Sequence, residues 1–175
     1  MKSLSEPRHA GIARDANAEG RAAAFECGTS IRFTLRIEPE QLRIEEILFT
    51  TTGCGYMIHA ADGLAERLTG KLLPELHALE EIGSGTEFPA GREHCFSAPL
   101  EAVRLALAEF REARVREFHG ESPLICTCFG VTEEVIEAHA AAASSVEEIG
   151  DATNAGTGCG SCRMLIQEIL DAHWR

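Results

Sequence analysis

Ile31, Phe33, Leu35 and Ile37 alternate with Arg32, Thr34 and Arg36, the two-residue period of a strand with one buried face. Pro39-Glu40-Gln41 supplies a turn, and the stretch from Leu42 to Thr52 is rich in β-branched and apolar residues, so a hairpin is predicted. Beyond Gly53-Cys54-Gly55 the period lengthens to that of a helix. Ile58, Ala61, Ala65 and Leu68 share a face, and Gly70 follows as a stop. Pro99 stands near the start of another helix, with Leu100, Val103, Leu107 and Phe110 along one side.

The charged stretch from Glu109 to Glu121 ends in His119-Gly120-Glu121-Ser122-Pro123, where Gly and Pro stop the helix. Two domains are therefore expected, residues 1–118 and residues 119–175. The second predicts short helices. Thr132 caps one, with Glu133 and Glu134 complementing the helix dipole. Ser145 and Glu148 form a capping box for the next. A third is expected from about Ser161 to His173, with Met164, Leu165, Ile169 and Leu170 as its apolar face. The expected fold class is an α+β N-terminal domain, an antiparallel sheet with packed helices, followed by a small all-α domain.

Composition narrows the function. Hydrophobic residues make up 45% and charged residues 25% of 175, which excludes wholesale disorder. A formal charge of −12 argues against a nucleic-acid partner, since a phosphate backbone calls for a net basic face. No window approaches the roughly 18 uninterrupted apolar residues of a membrane span. Met1 to Ala24 is charged throughout, without the apolar core of a signal peptide. The expectation is a cytoplasmic protein with no membrane partner. In a reducing compartment its seven cysteines point to metal ligands or reactive thiols rather than to disulfides.

Those cysteines fall into two sets. Cys126-x-Cys128 and Cys159-x-x-Cys162 form two close pairs separated by 30 residues. Four thiolates complete a [2Fe–2S] or [4Fe–4S] cluster or one tetrahedral zinc; the short C-x-C spacing favours iron–sulfur, with zinc the alternative. Gly156-Thr157-Gly158-Cys159-Gly160 lets backbone N–H groups approach the sulfurs. The segments Leu124-Ile125-Cys126-Thr127-Cys128-Phe129 and Gly158-Cys159-Gly160-Ser161-Cys162 resemble the small helical domain of bacterioferritin-associated ferredoxin, which is also the central domain of NifU proteins. The resemblance covers about residues 123–172 and implies a permanent [2Fe–2S] cluster on Cys126, Cys128, Cys159 and Cys162.

Cys27, Cys54 and Cys95 are spread more widely, with gaps of 26 and 40 residues. Glu26-Cys27-Gly28 precedes the first predicted strand, Thr52-Gly53-Cys54-Gly55 joins strand to helix, and His94-Cys95 precedes a helix, so all three sit at element ends. Three thiolates with one weaker partner suit a site that is filled and then emptied. Arg92 beside His94-Cys95 favours a thiolate or an anionic cluster. His59 is a polar residue on its helix, and His9, His77, His119, His139 and His173 lack metal-ligand spacing and are expected at the surface.

Asp15-Ala16-Asn17-Ala18-Glu19-Gly20, Cys27-Gly28, Thr52-Gly53-Cys54-Gly55 and His94-Cys95 are similar to the IscU/NifU N-terminal scaffold over about residues 7–112. The chain thus resembles the first two domains of NifU, the third having no counterpart in it. That resemblance implies a non-enzymatic scaffold on which Cys27, Cys54 and Cys95, with His94 as adjacent ligand, carry a transient iron–sulfur cluster. It implies a cysteine desulfurase as sulfur donor and apo iron–sulfur proteins as acceptors; a homodimer is left open. Two departures stand out. Thr29 occupies the position where the family carries Asp, and the family's chaperone segment is reduced to Phe88-Pro89-Ala90-Gly91-Arg92. The alternative reading is a [2Fe–2S] electron carrier whose N-terminal domain is only a docking platform.

Overall fold

The predicted hairpin is present and belongs to a three-stranded antiparallel sheet of order β1-β2-β3. The computed structural model describes residues 6–76, 79 and 89–174, so His77 and Phe88 lie outside the described residues. Two compact units are distinguished, Met1–Phe110 and Arg111–Arg175.

In the first unit β2, Thr29–Glu38, buries Ile31, Phe33, Leu35 and Ile37, as the alternation requires. Strand β3, Arg43–Thr51, pairs with it from Ile31↔Thr51 to Glu38↔Arg43, with a register shift between Arg36 and Ile37. The sequence reading placed no strand ahead of Cys27, yet β1, Ala18–Ala24, pairs with β2 from Ala18↔Leu35 to Ala24↔Thr29. Cys27 therefore lies in the β1–β2 connection rather than before the first strand. The edge of β3 is covered by the N-terminal segment, through Gly11 N–H to Phe49 O at 2.8 Å and Phe49 N–H to His9 O at 2.9 Å. His9, expected at the surface, is half-buried with Nδ1 3.0 Å from the Asp62 carboxylate.

Helix α1, Gly55–Leu68, packs against β3. Its buried stripe is Met57, Ala60, Ala61, Leu64, Ala65 and Leu68; Ile58 sits at the stripe's margin and is only half-buried. Gly70 then reverses the chain with φ +82° and donates to Ile44 O at 2.7 Å. Helix α2, His94–Glu117, starts five residues ahead of Pro99, so Cys95 occupies its first turn instead of preceding it. Leu100, Val103, Leu107 and Phe110 are buried as expected. Among the described residues no helix is long and apolar enough to cross a membrane.

The second unit is helical around a short ladder of β4, Leu124–Cys126, and β5, Val131–Thr132. Helices α3, Glu133–Ala140, α4, Val146–Thr153, and α5, Arg163–His173, pack on one another around Ile136, Val146, Ile149, Ile166 and Leu170. Thr132 and Ser145 cap α3 and α4, accepting from Val135 N–H at 3.5 Å and Glu148 N–H at 3.2 Å. The capping box is displaced by one residue, because the Glu148 carboxylate takes the Ser144 N–H at 2.6 Å. On α5 the expected face is corrected. Met164 is 76% and Leu165 47% exposed, and the buried stripe is Cys162, Ile166 and Leu170 at four-residue intervals. Turning Cys162 inward fixes the rotation of the helix, and that rotation carries Met164 and Leu165 outward.

Candidate metal centres

At one end of the first unit the structure gathers the elements that carry its three cysteines. Cys54 is the N-cap of α1, with extended backbone, and its carbonyl accepts the Ile58 N–H at 3.0 Å. Cys95, in the first turn of α2, donates its N–H to Arg92 O at 2.9 Å and is fully buried. The two sulfurs are 3.8 Å apart, although 41 positions separate them in sequence. Arg92 reaches Cys54 Sγ with Nη1 at 3.7 Å and lies over the Tyr56 ring at 5.5 Å. The backbone N–H of Met57 holds the Cys54 thiol below its ordinary range, while burial pushes Cys95 up.

Cys27 is tied to the same end by hydroxyls and a thioether. Its Sγ lies 3.0 Å from Thr29 Oγ1, and Thr29 Oγ1 lies 3.8 Å from the buried Met57 Sδ. Thr51 donates to that same sulfur at 3.3 Å, and Ser30 N–H donates to Thr52 Oγ1 at 3.0 Å, joining the start of β2 to the end of β3. Gly53 permits this closeness, because a Cβ there would fall 2.5 Å from Met57 Sδ. His94 begins α2, and its Nε2 is buried with no hydrogen-bond partner. Phe25, 92% exposed, stands two residues from Cys27. His59 is exposed on α1.

The second unit holds its four cysteines at the ends of β4 and α5 and in the loops between. Cys126, Cys128 and Cys162 are buried and Cys159 is exposed. Cys128 Sγ is 3.4 Å from Cys159 Sγ, and Cys159 Sγ is 3.1 Å from Ser161 Oγ. Cys126 and Cys128 share a hydrogen bond that lowers the first thiol and, with burial, raises the second to about 12. Backbone N–H groups of Gly156 and Phe129 face Cys126, and that of Cys159 faces Cys128. This is the approach the glycines foreshadowed. At Gly158 a Cβ would stand 3.1 Å from Cys128 Sγ and 3.1 Å from the Phe129 ring.

Such a donor set suits a four-sulfur centre: soft sulfurs from two loops, N–H groups aimed at them, and the buried Phe129 ring beside Cys128. The thiols stand as close pairs, and among the described residues no group of three or more His, Cys, Asp or Glu is gathered tightly enough for one metal ion. Sequence reasoning missed three residues here. Met57 and Phe25 carried no signal of a role there, and Arg111, whose charge reaches Cys128, lies outside every motif.

Comparison with known proteins bears on both units. Residues 124–172 match the BFD-like [2Fe-2S] binding domain, and residues 1–117 match the NifU-like N terminal domain. The nitrogen fixation protein NifU of Azotobacter chroococcum mcd 1 is 30% identical over 169 residues, covering 94% of this chain and 55% of that protein. The chain thus spans about half the length of the NifU relatives it matches. The iron-sulfur cluster assembly scaffold protein IscU of Aquifex aeolicus is 33% identical over 121 residues, covering 63% of this chain and 74% of that protein. A crystal structure of a nitrogen-fixing NifU-like protein (N-terminal) from Brucella abortus superposes with a TM-score of 0.51 at 15% identity, over 62% of this chain and 89% of that one, a likeness of fold. With the NifU-like N terminal domain matched over two thirds of this chain and a [2Fe-2S]-binding domain matched behind it, the chain belongs to the NifU-like family of N-terminal domains.

Proposed function

We propose that the chain is an iron–sulfur cluster assembly scaffold, not an enzyme, which builds a transient cluster on Cys27, Cys54 and Cys95 for transfer to apo-proteins. The observation that carries this reading is the 3.8 Å approach of Cys54 and Cys95 at the starts of two helices, with Cys27 tied to the same end through Thr29 and Met57. Helix N-termini favour thiolates, and the exposed Cys54 and Cys27 are open to an incoming sulfur donor. His94 supplies a neutral fourth donor, its Nε2 being buried and unengaged. With Thr29 in place of a carboxylate, the transient cluster depends on thiolates and imidazole alone. The sulfur comes from a cysteine desulfurase and the acceptors are apo iron–sulfur proteins in the cytoplasm; the likeness to a protein named an iron-sulfur cluster assembly scaffold supports the assembly role itself.

Cys126, Cys128, Cys159 and Cys162 hold a resident [2Fe–2S] cluster, which supplies one-electron chemistry when bound. The second unit is small, about 65 residues, and a unit of that size gains from a staple. A boundary at residues 118/119 between the two functions is supported by the family matches, which leave 118–123 unassigned.

Anaerobic iron, zinc and sulfide analysis with an absorption spectrum tests this, before and after incubation with a desulfurase, iron and cysteine. About two irons and two sulfides as purified, rising on incubation and falling when an apo-acceptor is added, is the expected result. Iron that never rises would instead favour the electron carrier, and zinc without sulfide would overturn the resident cluster.

A further inference from the structure

Arg111 lies outside the cysteine motifs but belongs to the second unit, on the part of α2 that runs into it. Its Nε is buried and has no hydrogen-bond partner. Arg114, one turn on and on the same helix face, lies against the loop that carries the cysteines: its Nη2 is 2.9 Å from where a Cβ of Gly130 would stand. Gly130 is two residues past Cys128 and has φ +68°, so the backbone is shaped to let a guanidinium in. The Arg111 charge also favours the Cys128 thiolate. Arg163, the other arginine beside a cysteine of this unit, is paired with Glu147.

A guanidinium with its Nε buried, one helical turn from a side chain that lies against the cysteine-bearing loop, changes what the site can hold. Arginine stays charged at every working pH, and in a partly desolvated setting its field is weakly screened. Uptake of one electron by a [2Fe–2S] centre adds one negative charge, and no bond is made or broken. A fixed cation therefore stabilises the reduced form more than the oxidised one. We propose that Arg111, supported by Arg114 against Gly130, is a positioning residue that raises the reduction potential of the four-cysteine centre. This rests on the reading of Cys126, Cys128, Cys159 and Cys162 as ligands of a resident cluster.

The test is potentiometric titration of the cluster-loaded full chain, with dithionite as reductant and the reduced fraction read by electron paramagnetic resonance. Arg111→Gln and Arg111→Met remove the charge, and the methionine keeps apolar bulk where the buried stem lies. At the potential where the natural protein is half reduced, either variant with full iron content should show a reduced-to-oxidised ratio about tenfold lower, equal to about 59 mV for one electron. Arg111→Lys should stay within about twofold. Loss of iron from both neutral variants with full retention in the lysine variant would support the same role for the charge. A neutral variant with full iron and an unchanged ratio would overturn the proposal, as would a lysine variant that falls as far as glutamine. If the natural protein carries no cluster, it is the resident-cluster reading that fails instead.

Discussion

The thiols of Cys54 and Cys95 stand 3.8 Å apart, and their surroundings push them in opposite directions. Cys54 is exposed at the open end of α1, where the Met57 N–H favours its thiolate; Cys95 is buried in the first turn of α2, where loss of water favours the thiol. A pair so arranged sets one ready nucleophile against one thiol held back by burial.

The sign of that difference sets an order of reaction in the metal-free protein. The thiolate is the attacking species, so a lowered pKa moves the rise of rate with pH to lower pH, and a raised one moves it higher. Near neutral pH iodoacetamide should modify Cys54 at least about tenfold faster than Cys95, and the Cys54 rate should rise at a pH below about 8.5, the value for a free cysteine. Peptide mapping after timed quenching reads both rates. Equal rates, or Cys95 first, would mean that the two environments are not distinct.

Gly20 of β1 faces Ala102 of α2 so closely that a Cβ there would lie 1.9 Å from the Ala102 carbonyl oxygen and 2.4 Å from the Ala106 nitrogen. Both are backbone atoms, which cannot swing aside. Gly20→Ala should cost about 3 kcal/mol or more, the upper end for overpacking. It should show as a fall in the denaturant midpoint of the first unit with the absorption of the second unit's cluster retained. A variant as stable as the natural protein would mean that strand and helix are not in this contact.

That contact also explains what the sequence did and did not disclose. Strand β2 was legible because Ile31, Phe33, Leu35 and Ile37 are large and alternate with polar residues. Strand β1 was not, because the close approach of α2 demands small residues, and Ala18, Gly20 and Ala24 carry no hydrophobic period. The cysteines of the two candidate centres stood out by their spacing and glycine flanks. The surroundings that set their behaviour were not legible, since Met57 and Arg111 reach them through tertiary packing.

Gly63 presents the reverse case to Gly20. It sits inside α1 with nothing within 4 Å of its Cβ position and ordinary helical backbone. Alanine there removes conformational freedom from the unfolded chain at no steric cost, so Gly63→Ala should stabilise the first unit by about 0.5–1 kcal/mol. Urea denaturation followed by circular dichroism measures it; destabilisation would place an unseen neighbour on that face.

Gly158 links loop packing to cluster retention. Its missing side chain leaves room for Cys128 Sγ and the Phe129 ring, each of which would lie 3.1 Å from a Cβ. One methyl does not forbid the fold, because Phe129 and the thiol can each yield by a few tenths of an ångström. It does displace Cys128, and the four sulfurs then no longer meet their N–H partners together. Gly158→Ala should keep the far-ultraviolet spectrum of the natural protein yet lose its visible absorption about fivefold faster under a chelator, corresponding to about 1 kcal/mol of overpacking. Retention equal to the natural protein would show that the loop has slack, and that the glycines there serve the turn rather than the sulfurs.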